Sequence, residues 1–217
     1  MRERCREGKG VAMKRGSLWL VLAAAWGSPF CAYAEDAAVD IVKAEQTAVN
    51  LCSTCHGPRG VSRSAEFPIL AAQREGYLLA QLDAFRTHAR AEKDAHDFMW
   101  GIAGQLDPAV IRGLARYYAS QPPAPARVDD PALVAKGKAL FDAGVPERGI
   151  PACATCHGAH AEGMGDFPRL AGQHAKYVAK QIAYIQTLVR AAPVMHGIVK
   201  DFAPAEIQAV AAYVQSL

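Results

Sequence analysis

The chain has no cysteine to spare. Six occur in 217 residues: Cys5 and Cys31 lie within the first 34, and the other four form two pairs, Cys52 with Cys55 and Cys153 with Cys156. No thiol is left for a structural disulfide, which excludes a disulfide-stapled scaffold of the secreted kind. Long apolar runs are missing too. The stretch from Leu18 to Trp26 is far shorter than the ~20 residues of a spanning helix, and no other segment is apolar enough. A charge of one sign is lacking once the first 34 residues are set apart. They carry six basic and two acidic residues, so the remainder has 18 against 19, a net of −1 in place of +3. A nearly neutral chain has no electrostatic footprint for nucleic acid.

What the first 34 residues do contain is an ordered pattern. Lys14 and Arg15 precede the apolar run, and Ala32-Tyr33-Ala34 follows it. Basic, apolar and small-residue segments in that order predict a secretory signal peptide, residues 1–34, cleaved before Glu35. An uncleaved anchor is the alternative. The basic segment is long enough that Met13 is a candidate start, and Ser28-Pro29-Phe30 before Cys31 does not resemble a lipoprotein cleavage box.

The remaining cysteines carry the chemistry. Cys52-Ser53-Thr54-Cys55-His56 returns as Cys153-Ala154-Thr155-Cys156-His157. C-x-x-C-H is the attachment signature of a c-type haem: two thiols bond the porphyrin and the following imidazole is the proximal iron ligand. A zinc half-site would need a second ligand pair nearby, and a dithiol redox motif would need the βαβ alternation that this chain lacks. The repeat extends beyond the motif. Phe67-Pro68 matches Phe167-Pro168, and Tyr77 and Gln81 match Tyr177 and Gln181, at an offset of 100. Met99, Ile111 and Tyr117 match Met195, Ile207 and Tyr213 at an offset of 96. This is an internal duplication.

Each iron then needs a sixth ligand. Met99 and Met195 lie 43 and 38 residues beyond their histidines at equivalent repeat positions, which makes them the candidates over core filler. Met164 is a weaker rival. His96 and His196 would give bis-histidine ligation, but their places relative to the methionines differ, three before and one after. His88, His160 and His174 read as surface residues. The carbonyls of Pro68 and Pro168 are candidates to accept the proximal imidazole N–H. Tyr117 and Tyr213 read as packed between helix and haem, and Arg59 and Arg169 as propionate partners or solvent-facing.

Helical spacing is predicted over 39–51, 77–89, 107–118 and 132–141, with Asp107 capping a helix that Pro108 begins. Residues 88–96 read as a charged, solvated stretch. Gln121-Pro122-Pro123-Ala124-Pro125-Ala126 predicts a semi-extended linker. The expected organisation is all-α: a first domain over 35–121, a Pro-rich linker over 122–130 and a second domain over 131–217. Units of about 85–90 residues bury little apolar surface unaided, so a covalently held porphyrin would supply much of each core.

On both C-x-x-C-H motifs, Phe67-Pro68, Phe167-Pro168-Arg169-Leu170-Ala171-Gly172-Gln173, the two methionines and the Tyr117 and Tyr213 helices, residues 37–217 resemble the dihaem cytochrome c4 family. The resemblance implies two tandem class I cytochrome c domains, each wrapped around one covalently attached haem c. It implies attachment at Cys52, Cys55, Cys153 and Cys156, ligation by His56/Met99 and His157/Met195, and propionate edges facing across the domain interface. It also implies a periplasmic electron carrier in a respiratory chain, often lying against the membrane, with a cytochrome bc1-type complex and a terminal oxidase as partners and no small-molecule substrate. Three positions depart from the pattern: Ala44 where the second half has Gly137, Ala72 opposite Gly172, and Ala203 opposite Asp107. With both sixth positions filled, bond-making chemistry is disfavoured. The alternatives are a dihaem subunit of a periplasmic dehydrogenase, such as a flavocytochrome oxidising sulfide, and a dihaem peroxidase.

Overall fold

Helix starts follow local side-chain chemistry. Asp130 accepts from the backbone N–H of Ala132 and Leu133 at 2.9 and 3.1 Å, and Pro131 holds the first helical position. Asp40 accepts from Lys43 N–H at 2.9 Å. Asp107 occupies its expected place before Pro108, but its carboxylate does not cap the helix. It pairs instead with Lys43 Nζ at 2.7 Å, tying the first helix of that half to the last. In the second half Ala203 has no side chain to offer, and Glu206 reaches back to accept its N–H at 2.8 Å.

The computed structural model describes residues 39–217; the predicted signal peptide, with Cys5, Met13 and Cys31, lies outside them. In the first half α1 (Ile41–Thr47) passes through a π-helical turn, Ala48–Cys52, into α2 (Ser53–His56). Then come α3 (Glu75–Arg86), α4 (Trp100–Ala103) and α5 (Pro108–Ala119). The second half repeats the order with α6 (Pro131–Ala143), α7 (Ala154–His157), α8 (Ala175–Gln186), α9 (Pro193–Val199) and α10 (Pro204–Gln215). Among the described residues no β-strand forms, only two isolated bridges, Arg90 with Arg190 and Val145 with Ile150.

Each half builds its own apolar core where its first and last helices cross. On α5, Val110, Ile111, Leu114, Ala115 and Tyr118 fall on one helical stripe and are buried. Ala44, Ala48 and Leu78 complete that core, and Phe141, Val178, Ile182, Val210 and Val214 form its counterpart. The crossings explain the Ala44 departure. A Cβ on Gly137 of α6 would lie 1.9 Å from the Ala209 carbonyl on α10. In the first half the small residue has changed helices: Ala44 on α1 meets Gly113 on α5, whose added Cβ would come within 2.5 Å of Ala44 Cβ. Gly113 and Ala209 are repeat equivalents at the offset of 96, so each crossing has one glycine and one alanine.

The segment before α6 is not a free spacer. Arg127 N–H donates to Gln215 O at 3.0 Å, Gln215 Nε2 bonds Asp129 at 3.0 Å, and Ala124 is buried. Across the halves, Glu66 pairs with Lys176 and, at 3.1 Å, with Lys180, which also reaches Asp94 at 2.5 Å. His174 contradicts its surface assignment: it is buried, and its Nε2 bonds the Ser62 carbonyl of the first half at 3.1 Å.

Ala72 takes the left-handed conformation (φ +57) that Gly172 takes without strain (φ +77), and each donates its N–H to the closing helix, to Tyr118 O and Val214 O. Ala72→Gly should therefore stabilise the fold by about 0.5–1 kcal/mol, measured by denaturant unfolding. Burial holds the His174 imidazole below its ordinary value of 6.5, partly offset by the bond to Ser62. Above pH 6.5 the full stability is present; as pH falls through 6.5 the unfolded chain binds a proton that the folded imidazole refuses, and stability declines until the folded value is passed. His174→Gln should flatten that acid slope, and an unchanged slope would refute the assignment.

Candidate haem-binding site

Both C-x-x-C-H motifs end a helix, so the turn that carries the two thiols also presents the histidine. His56 and His157 are buried at the ends of α2 and α7. His56 Nδ1 donates to the Pro68 carbonyl at 2.9 Å, and His157 Nδ1 to the Pro168 carbonyl at 3.0 Å. A carbonyl can only accept, so Nδ1 carries the proton and Nε2 keeps its lone pair. Burial holds both imidazoles below the ordinary histidine range, keeping them neutral. Phe67 and Phe167 stand edge-on to them, with centroids 6.2 and 6.4 Å away.

All eight residues expected from sequence, Cys52, Cys55, His56, Met99, Cys153, Cys156, His157 and Met195, line one cavity of about 560 Å³ shared by the two halves. Met99 closes a π-helical turn before α4, and Met195 lies in α9. The rivals are elsewhere. Met164 is exposed, His96 bonds Asp97 at 2.9 Å on the surface, and His196 Nδ1 is engaged by the Ile185 carbonyl at 3.0 Å; none lines the cavity. His88 stacks on Trp100 at 3.9 Å, and His160 is exposed. Pro68, Pro168 and Arg169 line the cavity, whereas Arg59 is exposed. Tyr117 and Tyr213 do not line it: Tyr213 packs on Phe141 at 5.3 Å, and the tyrosines on the wall are Tyr77, Tyr118 and Tyr177.

The expected solvated stretch 88–96 is also corrected. Arg90 and Glu92 are buried. Arg90 Nε donates to Glu92 Oε1 at 2.7 Å, and its other nitrogens reach Gln81 at 3.1 Å and Gln181 at 3.0 Å. Arg190 binds Gln181 at 2.7 Å, Gln81 at 3.0 Å and the Tyr77 hydroxyl at 2.8 Å. Both arginines line the cavity. The signal was present: Arg90 and Arg190 stand at the same offset of 100 as the paired glutamines.

The donor set fits two covalent haems. His157 Nε2 is buried without a partner on the cavity wall, which a bound iron would supply. Two buried guanidiniums, Arg90 and Arg190, share a single buried carboxylate, a net positive patch on the wall suited to propionates. Burial raises the Cys52 thiol and pushes that of Cys153 up to about 11, favouring neutral thiols over the thiolates that zinc requires. Among the described residues no three His, Cys, Asp or Glu side chains gather into a metal-binding group.

A family model for cytochrome c matches residues 134–217. Cytochrome c4 of Thiocapsa roseopersicina is 36% identical over 179 residues, 80% of this chain and 90% of that protein. The chain belongs to the cytochrome c4 family. Cytochrome c-552 of Acidithiobacillus ferridurans is 41% identical over 76% of this chain and 73% of its own. A thiosulfate dehydrogenase electron acceptor of Thiomonas intermedia is 38% identical over 74% and 75%. The solved cytochrome c4 of Acidithiobacillus ferrooxidans superposes with a TM-score of 0.73 at 39% identity, covering 76% of this chain and 98% of that one. This cytochrome c4 is thus two tandem class I cytochrome c domains related by duplication, carrying two covalent haem c groups. It is an electron carrier rather than an enzyme, which sets the peroxidase alternative aside. Each haem supplies a one-electron Fe(II)/Fe(III) couple.

Removing a buried cation from the cavity wall should favour the ferric charge. Arg190→Met is expected to lower at least one midpoint potential, by an amount on the order of 1 kcal/mol, in a potentiometric titration.

Proposed function

We propose that this cytochrome c4 is a periplasmic carrier in a respiratory chain, receiving electrons from a cytochrome bc1-type complex and delivering them to a terminal oxidase. The order of basic, apolar and small residues in 1–34 supports export through a cleavable signal peptide. Cys52 and Cys55 would attach one haem and Cys153 and Cys156 the other, with His56/Met99 and His157/Met195 as the axial pairs. One observation carries the assignment: the cavity wall contains two histidines and two methionines, and these are the four expected residues. His/Met ligation raises the reduction potential, which suits a carrier near the oxidising end of a chain. Peripheral contact with the membrane goes with such partners. No helix among the described residues is long and apolar enough to cross it.

A second reading changes the donor and keeps every ligand. The likeness to a thiosulfate dehydrogenase electron acceptor supports a carrier paired with a periplasmic dehydrogenase, the flavocytochrome arrangement being one version. Isolation from native membranes separates the two. A stoichiometric dehydrogenase subunit would replace the free-carrier reading, whereas co-isolation with oxidase would support it.

The ligands are tested by substitution. Met99→Ala and Met195→Ala should each abolish half of the sulfur-to-iron charge-transfer absorption and open one iron to carbon monoxide, with the other haem unaffected. If neither spectrum nor potential changes in either variant, the methionine assignment is wrong.

A further inference from the structure

Each proximal-histidine hydrogen bond is continued, through a single peptide group, into the opposite half of the molecule. His56 Nδ1–H donates to the Pro68 carbonyl at 2.9 Å. The N–H of that same peptide group, on Ile69, donates to Gln173 Oε1 at 2.9 Å, and Gln173 Nε2 donates back to the Ile69 carbonyl at 2.9 Å. The second half mirrors this. His157 donates to the Pro168 carbonyl at 3.0 Å, Arg169 N–H donates to Gln73 Oε1 at 2.7 Å, and Gln73 Nε2 donates to the Arg169 carbonyl at 2.9 Å. Both glutamines are buried. Each Oε1 also accepts the next backbone N–H of its own half, from Arg74 at 2.9 Å and from His174 at 3.1 Å, so the carboxamides are held before they reach across.

The placement has an electronic consequence. When a peptide N–H is donated, its carbonyl oxygen becomes more negative and a better acceptor, and each bond in such a chain strengthens by about 10–30%. A better acceptor draws on the imidazole Nδ1–H and makes Nε2 more basic, and a more basic ligand favours the higher charge on its metal. Interface adhesion alone would not need this geometry: the contacts of Glu66 with Lys176 and Lys180 join the halves without touching either proline peptide.

We propose that Gln73 and Gln173 are positioning residues that act crosswise, Gln173 tuning the haem held through His56 and Gln73 the haem held through His157. The proposal rests on those histidines being the proximal ligands. Closure of the interface lowers both potentials, and parting the halves opens both relays at once.

The test uses the full-length protein with both haems attached. Gln173→Met keeps the length and removes the acceptor. It should raise the potential of the first-half haem by about threefold in the reduction equilibrium, about 30 mV at 59 mV per decade. The second-half haem should move far less, and both irons should remain low-spin with methionine bound. Gln73→Met should give the mirror result. Gln173→Glu restores an acceptor and should bring the first-half potential back to or below that of the wild type. The haems are told apart by their paramagnetically shifted methyl resonances, assigned by which set Met99→Ala or Met195→Ala displaces. A shift on the substituted residue's own half, an equal shift on both haems, or none would overturn the proposal. If Gln173→Met does not fold, Gln173→Glu decides: the first-half potential should rise as acid protonates the carboxylate and weakens the acceptor, and a pH-flat potential would overturn it. Unmoved potentials with intact His/Met spectra reject crosswise tuning alone, whereas unaltered spectra in the methionine variants reject the ligand reading.

Discussion

The bond from each motif imidazole, His56 and His157, to a proline carbonyl is the constraint on which the rest of the structure depends. Because the carbonyl cannot donate, it selects one tautomer and leaves the other ring nitrogen with its lone pair toward the cavity. The bond holds only if the proline peptide is itself held. In each half the stretch just after it is pinned, with Leu70 and Ala71 donating to Gly60 O, and Leu170 and Ala171 to Ala161 O. The same stretch is then clamped from the far side by a buried glutamine. The setting of the motif histidines and the association of the halves therefore share one set of peptides.

Much of this was legible in the sequence, for identifiable reasons. The C-x-x-C-H motifs carry their chemistry locally, so the candidate attachment residues needed no tertiary information. Met99 and Met195 stood out as candidates for the cavity wall only through the duplication, since a single methionine is ordinarily packing material. The proline carbonyls followed from the same repeat. Most of the illegible parts depend on the second half covering the first. Arg90 and Glu92 sit in a run rich in charge, and composition argues for solvent; only burial against Gln181 and Arg190 reverses that. His174 misled for the same reason, its partner Ser62 lying 112 residues away in sequence. Asp107 had a sound local reading as a cap, overridden within its own half by Lys43 of the first helix, 64 residues earlier.

The halves are alike without being interchangeable. Glu92 is fully buried beside Arg90, and the corresponding residue in the second half is Ala192, so the buried arginine pair has an acid on one side only. The second half alone has the turn containing Arg148, which reaches the Asp201 carbonyl at 3.1 Å and pairs with Glu206. Electrons passing between two such haems meet different electrostatic surroundings at each.

The exchange of glycine and alanine at the helix crossings gives the duplicated chain a pairing code. α1 presents Ala44 to Gly113 of α5, and α6 presents Gly137 to Ala209 of α10. Were α1 to seat against α10, alanine would face alanine where even one added Cβ comes within contact-forbidding distance, and α6 against α5 would leave glycine opposite glycine and a gap. Two similar sequences tethered on one chain are prone to trading elements as they fold. Moving a single methyl group from one helix to its partner penalises both mispaired combinations and favours each terminal helix packing in its own half.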